Sequence, residues 1–546
     1  MAYNVADLFE HTVDAVPDRE ALICGDVRRT FADLEARTNA LAHTLADQGI
    51  EPGDHVGIYA LNSMPWMEAL LAICKARAVP VNVNYRYVEE ELKYLFDNAD
   101  LKGLVYDEQF GPRVAAVKAQ LPLLKTLVMI EDGSGEPQTD LDPIPFEMAV
   151  ENGSPERDFG PRSGDDQVII YTGGTTGMPK GVMWRGEDIF FALAGGIDPF
   201  TKEPVASEFE QSEKAAASGG QLIFMTPPPL MHGAAFVASL MQLFQGNRNV
   251  LVAKFDPTEL WRIVAKEGAN SILIVGDAMG RPMIESLEAL EATGELPDLS
   301  SLISLSSSAA VFSPVIKDRF LERFPNLIIT DSIGATESGF NGLITVGKGT
   351  TQMSGGGPTV TPGKDTVVLD DDFNILEPGS EIVGKVGRGG NIPLGYYKDP
   401  VKTAQTWIIA KDGRRYAVPG DFAKFEADGT ITLLGRGSVC INSGGEKVYP
   451  EEVEQALKAH PDVFDVVVVG VADERWGQTV AAVVQLRPDH PSPGLDALAD
   501  HCRSFVAGYK LPRHLHLVDE VVRSPSGKPD YPWAKALAEA GTHTAP

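Results

Sequence analysis

The sequence predicts an α/β fold in two units: a large multi-subdomain N-terminal domain with α/β sheets and a small β unit, followed by a small mobile α+β C-terminal domain. Three observations predict it. Short, nearly all-apolar runs alternate with helix-length segments over residues 56–330, as central parallel strands covered on both faces require. Over 361–433 glycine, proline and aspartate break the chain into brief strand-like pieces. Beyond Gly435 a second compact set of helix and strand patterns begins.

In order, the strands of the large unit are expected at 56–60, 104–106, 127–130, 168–171, 222–225, 271–275, 302–305 and 327–330. The apolar stretch 66–81 is interrupted by Glu68, Lys75 and Arg77, so it reads as a helix feeding a strand and not as a membrane span. Segment 199–220 is polar, alanine-rich and weakly periodic, which predicts a mobile surface insertion. Strand-like pieces at 366–369 and 430–433 make up the β unit; the C-terminal unit has helices at 451–459 and 495–506 and strands at 465–471 and 481–486. The two domains are expected to span 1–435 and 436–546. A hinge falls near 436–440, where Gly435 and Gly437 flank Arg436 and can absorb rotation.

Composition narrows the function classes. With 43% hydrophobic and 23% charged residues the chain can bury a large core and is not a disordered polymer. Acidic residues outnumber basic ones, 76 to 47, and such a surface repels phosphate backbones, so no nucleic-acid partner is expected. The opening segment MAYNVADLFEHTVDAVPD lacks a basic stretch followed by an apolar one, so no signal peptide is read there. Cys24, Cys74, Cys440 and Cys502 show neither metal-ligand spacing nor a disulfide framework, which fits a reducing, cytoplasmic setting. Peripheral membrane contact and a homodimer stay open.

The chemistry is concentrated in YTGGTTGMPKG, residues 171–181, directly after an apolar run. Glycines let backbone N–H groups turn toward an anion, threonine hydroxyls add donors, and a lysine supplies charge. Thr172, Gly173, Gly174, Thr175, Thr176, Gly177 and Lys180 therefore read as a phosphate-holding loop, with a glycine-rich surface turn as the bland alternative. The segment is not a P-loop, because Gly181 stands where Ser or Thr must follow the lysine, and it is not GxGxxG.

This stretch resembles the signature loop of the adenylate-forming superfamily, which includes acyl-CoA synthetases, peptide-synthetase adenylation domains and beetle luciferases. Further motifs in matching order extend the resemblance over nearly the whole chain. Pro228-Pro229-Leu230-Met231-His232-Gly233 is similar to the family's PxxH pattern, which implies that His232 gates the path of the acyl and pantetheine groups. Ser332-Ile333-Gly334-Ala335-Thr336-Glu337 is similar to YGxTE. The likeness assigns Thr336 to phosphate and Glu337 to Mg²⁺, a hard cation that suits carboxylate oxygen. Ile333 replaces the tyrosine that packs on adenine; Ser308, Ala309 and Ala310 resemble the opposite wall of that pocket, with serine where glycine is common. Asp421 in Tyr416-x-x-x-Gly-Asp resembles the ribose-binding aspartate, with one residue more than in YRTGD, and Arg436 the arginine meeting ribose or phosphate. Ser438 replaces the usual hinge aspartate or lysine; Gly444, Gly445 and Lys447 resemble the loop approaching CoA; and Lys528 matches the lysine of the terminal GK motif.

The resemblance implies the adenylate-forming fold and an AMP-forming acyl-CoA ligase using ATP, Mg²⁺ and CoA. The catalytic set would be Lys528, Thr176, Glu337 and His232. A small-molecule carboxylic acid, medium, long or bulky and apolar, is the expected substrate, its pocket shaped by segments 224–236 and 274–282. By overall texture the chain is similar to bacterial ligases of fatty or sterol side-chain acids. Loading of a phosphopantetheinyl carrier protein, a luciferase-like oxygenase and a non-enzymatic nucleotide-binding protein are the competing readings.

Overall fold

A computed structural model describes residues 3–172, 178–198, 201–348, 358–436, 439–443, 446–473, 476–488, 490–523 and 527–541, without the side chains of Arg436, Glu446 and Lys447. The first sheet has eight strands. Gln167–Thr172, Val79–Asn82, His55–Tyr59, Leu101–Asp107, Thr126–Ile130 and Ile144–Pro145 run parallel, and Lys180–Arg185 and Gly395–Tyr396 close one edge antiparallel. Val168, Ile169 and Ile170 are all buried, which is why this strand reads as an unbroken apolar run.

The second sheet places Ile223–Thr226, Ser271–Ile274, Ser304–Ser307 and Ile328–Ala335 side by side in parallel. It then turns antiparallel through Gly339–Val346 and Thr359–Pro362 into Ile431–Arg436 and Asp421–Phe425. The β unit expected over 361–433 is therefore hydrogen-bonded into the second sheet.

Two expectations need correction. The strand expected at 302–305 lies at Ser304–Ser307, because hydroxyl bonds, not an apolar run, stitch it: Ser271 Oγ lies 3.0 Å from Ser304 Oγ, and Thr330 donates to Ser306 Oγ at 2.9 Å. The segment 199–220, of which 199 and 200 lie outside the described residues, contains the Glu210–Ala217 helix. Ala215 of that helix is buried in the main core, beside the Val5–Ala15 helix.

The charges within 66–81 are paired inside the protein. Lys75, fully buried at the end of the Met64–Lys75 helix, donates to Glu10 at 2.6 Å and Glu35 at 2.7 Å; Arg37 grips Glu68 at 2.7 and 2.9 Å. Removing one partner would leave an uncompensated buried charge, a loss of about 3–5 kcal/mol. Among the described residues no helix is long and apolar enough to cross a membrane.

The third sheet joins Glu446–Val448, Ile441–Ser443, Gly477–Leu486, Val463–Asp473 and His514–Val518. Successive side chains of a strand point to opposite faces. Val466 and Val468 accordingly pack with the Pro450–Lys458 and Gly494–Cys502 helices, while Val467 and Val469 pack with the Tyr531–Glu539 helix. Both faces are covered, which explains the run of four consecutive valines.

Candidate active site

The site gathers where strand ends of the two large sheets face the C-terminal sheet. A cavity of about 1650 Å³ opens there, lined among others by Thr172, His232, Ser308, Thr336, Asp421 and Lys528. Six segments far apart in sequence thus contribute to one space.

Thr172 ends one strand and pairs directly with Lys180 at the start of the next, so the glycine-threonine segment is the connection of an antiparallel pair. Gly173, Gly174, Thr175, Thr176 and Gly177 lie outside the described residues, as do Ser438, Gly444 and Gly445. Lys180 does not line the cavity. Its ammonium donates to Asp399 at 2.6 Å and sits 5.4 Å over the ring of Tyr396. That cation holds the Asp399 carboxyl below the usual carboxylate range, helped by the Lys402 N–H.

Thr336 and Glu337 occupy the turn between Ile328–Ala335 and Gly339–Val346. The buried Trp184 indole donates to the Thr336 carbonyl at 3.0 Å and so fixes the turn to the first sheet. A Cβ at Gly334 would collide with the Gly339 carbonyl, which requires glycine at that position. Glu337 lies behind the cavity wall, where Tyr396 Oη donates to its Oε1 at 3.0 Å. Lys180 and Glu337, from two separate motifs, are therefore joined through a tyrosine that sequence reading missed. Its only signal was the aromatic pair in GYYKDP.

Ile333 and Gly334 line the cavity, as do Ser308, Ala309 and Ala310. Ala309 holds φ +69°, the left-handed region that costs an L-residue about 1–2 kcal/mol. Asp421 begins its strand directly opposite Arg436 and lines the cavity. Tyr416 does not: its ring is buried with Leu369 and Val418, and its hydroxyl donates to Asp412 at 2.7 Å.

His232 caps the Gly233–Phe244 helix at the cavity wall. The residue is half-buried, yet Nε2 is sealed from solvent with no hydrogen-bond partner. Burial, then the positive charges of Lys528 and Arg86, push its pKa down to about 4, so the ring is neutral near pH 7. Lys528 thus reaches the same space as His232 although nearly three hundred positions separate them.

Two asparagines absent from the sequence reading hold the His232 segment. Asn82 donates to the carbonyls of Tyr171 at 3.1 Å and Met231 at 2.5 Å and accepts from Tyr171 N–H at 2.7 Å. Asn62 donates to Pro228 and Val252 and accepts from Leu230 N–H at 2.7 Å. Each lies at or just beyond the end of an apolar strand and ties the first sheet to the second. Of the segments expected to shape an acyl pocket, Phe224, Met231, Asp277 and Ala278 are found in the lining. Phe191, Val237 and Met241 extend the cavity between the Gly186–Leu193 and Gly233–Phe244 helices.

Comparisons with known proteins agree with this architecture. A family described as AMP-binding enzyme matches residues 9–397, and its C-terminal domain matches residues 452–528. The chain is 52% identical over 539 residues to the medium/long-chain-fatty-acid–CoA/3-oxocholest-4-en-26-oate–CoA ligase of Mycolicibacterium smegmatis, covering 99% of this chain and 97% of that protein. It is 53% identical over 536 residues to the 3-oxocholest-4-en-26-oate–CoA ligase of Rhodococcus rhodochrous, covering 98% and 96%. Among solved structures, the anthranilate CoA ligase AuaEII in complex with anthranoyl-AMP superposes with a TM-score of 0.81 at 22% identity, covering 98% of this chain and 97% of that one. With its large α/β part and its small C-terminal sheet both matched, the chain belongs to the AMP-binding enzyme family.

Proposed function

We propose that this protein is an AMP-forming CoA ligase for a medium- or long-chain, or bulky apolar, carboxylic acid. The observation that carries the reading is one cavity in which Lys528, Thr336 and Asp421 share a space with the apolar side chains Phe191, Val237 and Met241. At about 1650 Å³ it exceeds the roughly 300–1,000 Å³ of an ordinary small-molecule site, as a nucleotide and a large acyl group together require. Its relatives in Mycolicibacterium smegmatis and Rhodococcus rhodochrous carry names that specify fatty acids and a sterol side-chain acid, which supports the same substrate class here.

In the first half-reaction a carboxylate oxygen attacks the α-phosphorus of ATP, the α–β phosphoanhydride breaks, and pyrophosphate leaves. The 172–180 segment with Thr176 and Lys180 holds the departing charge; Thr336 holds phosphate oxygen; Asp421 and Arg436 hold the ribose; Ile333 and the 308–310 turn enclose the adenine. Lys528 places a cation beside the charge that develops on the α-phosphate. Positioning and electrostatics supply the rate, since no side chain has to become acylated.

Mg²⁺ fits the Glu337 position. Tyr396 fixes one oxygen of a hard carboxylate, and among the described residues there is no cluster of three or more acidic, His or Cys side chains to make a closed protein cage. An ion held by Glu337 would neutralise phosphate charge there.

In the second half-reaction the CoA sulfur attacks the adenylate carbonyl and AMP leaves. The C-terminal domain, 436–546, turns about the 436–440 hinge, withdrawing Lys528 and presenting Gly444, Gly445 and Lys447 to CoA. Neutral His232 lines the acyl path without contributing a charge. The reading places the enzyme in the cytoplasm, in keeping with four free cysteines, and includes a homodimer and peripheral contact with membranes that supply fatty substrates.

The test is ATP-to-AMP conversion by purified protein with Mg²⁺ and a panel of short, long, aromatic and sterol side-chain acids, with and without CoA, read by mass spectrometry. CoA-dependent thioester from the long or bulky acids is expected. Acyl-AMP without thioester would shift the acceptor to a carrier protein, and no ATP binding would sink the reading.

A further inference from the structure

Lys528 follows a peptide that is held by one half-buried arginine, Arg523. Arg523 and Pro529 pair as an isolated antiparallel bridge, next to Gly527 and Lys528. The Arg523 guanidinium uses all three of its nitrogens. Nε and Nη2 donate to Asp465 Oδ2 and Oδ1 at 2.6 and 2.7 Å, and Nη1 donates to the Gly527 carbonyl at 3.0 Å. That carbonyl belongs to the peptide immediately before Lys528. Asp465 is itself held, by Lys458 at 3.1 Å and by its bond from the Val466 N–H at 2.8 Å. The fork therefore ties the Gly527 peptide to the Val463–Asp473 strand, at the edge of the C-terminal sheet.

Contacts between the two units have a different character. Gly527, at φ +73°, lies against Ala278 and Val275 at the start of the Gly276–Thr293 helix; a Cβ there would come within 3.1 Å of Ala278 Cβ. On the same helix, Asp277 Oδ2 stands 3.9 Å from Lys458 Nζ and makes no hydrogen bond. Arg281 lies 5.2 Å over the Phe464 ring, and Arg487 of the C-terminal unit meets Glu285 at 3.2 Å. Around Arg523 the bonds inside the C-terminal unit are short and bidentate, while among the described contacts just named across the interface one is a single hydrogen bond at 3.2 Å, one a long ion pair and one a ring contact. A part that must arrive and leave as one piece needs this division: rigid within, weakly held without.

We propose that Arg523 is the positioning residue for Lys528, fixing the Gly527 peptide so that docking on the Gly276–Thr293 helix delivers the ammonium in register for adenylation. This rests on the role assigned to Lys528 above. It makes a selective prediction, because this bond matters only when Lys528 is in place and not when CoA attacks the adenylate.

The two half-reactions are measured separately, as acyl-AMP formation and as thioester formation from supplied acyl-AMP and CoA. Arg523→Lys keeps the positive charge beside Asp465 but cannot make three directed bonds. A displacement of about 1 Å costs roughly a hundredfold in rate. Arg523→Lys is therefore expected to lower kcat of adenylation by about that factor, leaving the KM values for ATP and acid and the thioester step within about twofold. Asp465→Asn, nearly isosteric, gives a smaller loss in the same half-reaction and stands in if Arg523→Lys does not fold. Wild-type adenylation in Arg523→Lys, or equal losses in both half-reactions, would overturn the proposal. Lys528→Ala is the reference: full adenylation in that variant removes the role of Lys528 itself, whereas a defective Lys528→Ala beside an intact Arg523→Lys removes only the part given to Arg523.

Discussion

Tyr396 Oη donates to Glu337 Oε1 at 3.0 Å while the same ring carries the Lys180 ammonium 5.4 Å from its centroid. One side chain thus braces both a carboxylate and a lysine from separate motifs, and its own ring is locked edge-on against Trp407 at 4.9 Å. Tyr396→Phe removes the hydroxyl and keeps the platform. A hydrogen bond to a charged group contributes about 1.5–3 kcal/mol, so at the low end KM for ATP rises roughly tenfold. Thermal unfolding should change little, because the ring remains packed. Steady-state kinetics over a range of ATP and Mg²⁺ concentrations check this; an unchanged KM would remove Tyr396 from the nucleotide site.

Lys180 and Asp399 are each about one-third exposed, 36% and 34% in their side chains. Solvent screens such a pair, and exposed ion pairs contribute no more than about 1 kcal/mol. Lys180→Met is therefore expected to shift stability by less than about 1 kcal/mol while adenylation falls by far more than that loss explains. Denaturant melts beside acyl-AMP formation rates make the comparison. A large loss of stability with parallel loss of rate would assign Lys180 to the fold instead.

Much of the architecture was legible because burial on both sheet faces leaves apolar runs, as in Val168, Ile169 and Ile170 or Val466 to Val469. Hydropathy could not place Ser304–Ser307, whose hydroxyls bond across strands, nor the Glu210–Ala217 helix, which lacks a strong apolar stripe. The candidate site was legible where residue types recur in a fixed order, which placed His232, Thr336, Asp421 and Lys528 around one cavity. Its supports were not. Asn62 and Asn82 act by bonds to backbone about 90 to 190 positions away, and Tyr396 reaches from the edge of the first sheet to a turn of the second. An asparagine after an apolar strand looks the same whether it bridges two sheets or ends a turn.

Ala309 lies in the left-handed region at φ +69°, on an exposed turn that lines the cavity. Glycine reaches that conformation without the Cβ conflict, although it has more freedom to lose from the unfolded chain. The balance favours Ala309→Gly by about 0.5–1 kcal/mol, a rise of a few degrees at most in the unfolding midpoint. Calorimetry on the free protein measures it. A lower midpoint would mean that the methyl group stabilises the turn by more than the backbone strain it imposes.

His232 supplies the pH dependence. In the folded protein its pKa is pushed down to about 4, first by burial and then by Lys528 and Arg86. In the unfolded chain an ordinary histidine titrates near 6.5. Between those values the unfolded state binds a proton that the folded state does not, so this histidine makes stability fall as pH drops from about 6.5 toward 4. Above 6.5 both states hold it neutral and the effect vanishes. His232→Phe keeps an aromatic ring at the cavity wall and removes the titrating group. Its unfolding midpoint should therefore decline less than the wild type's between pH 6.5 and 4.5, with the two profiles parallel above pH 7. Lys528 adds a second sign to check: because its charge helps hold His232 neutral, Lys528→Met should raise the histidine pKa toward its unfolded value and make the acid-side loss of stability smaller. Identical acid limbs in wild type and His232→Phe would show that the ring is solvated and that Lys528 does not act on it.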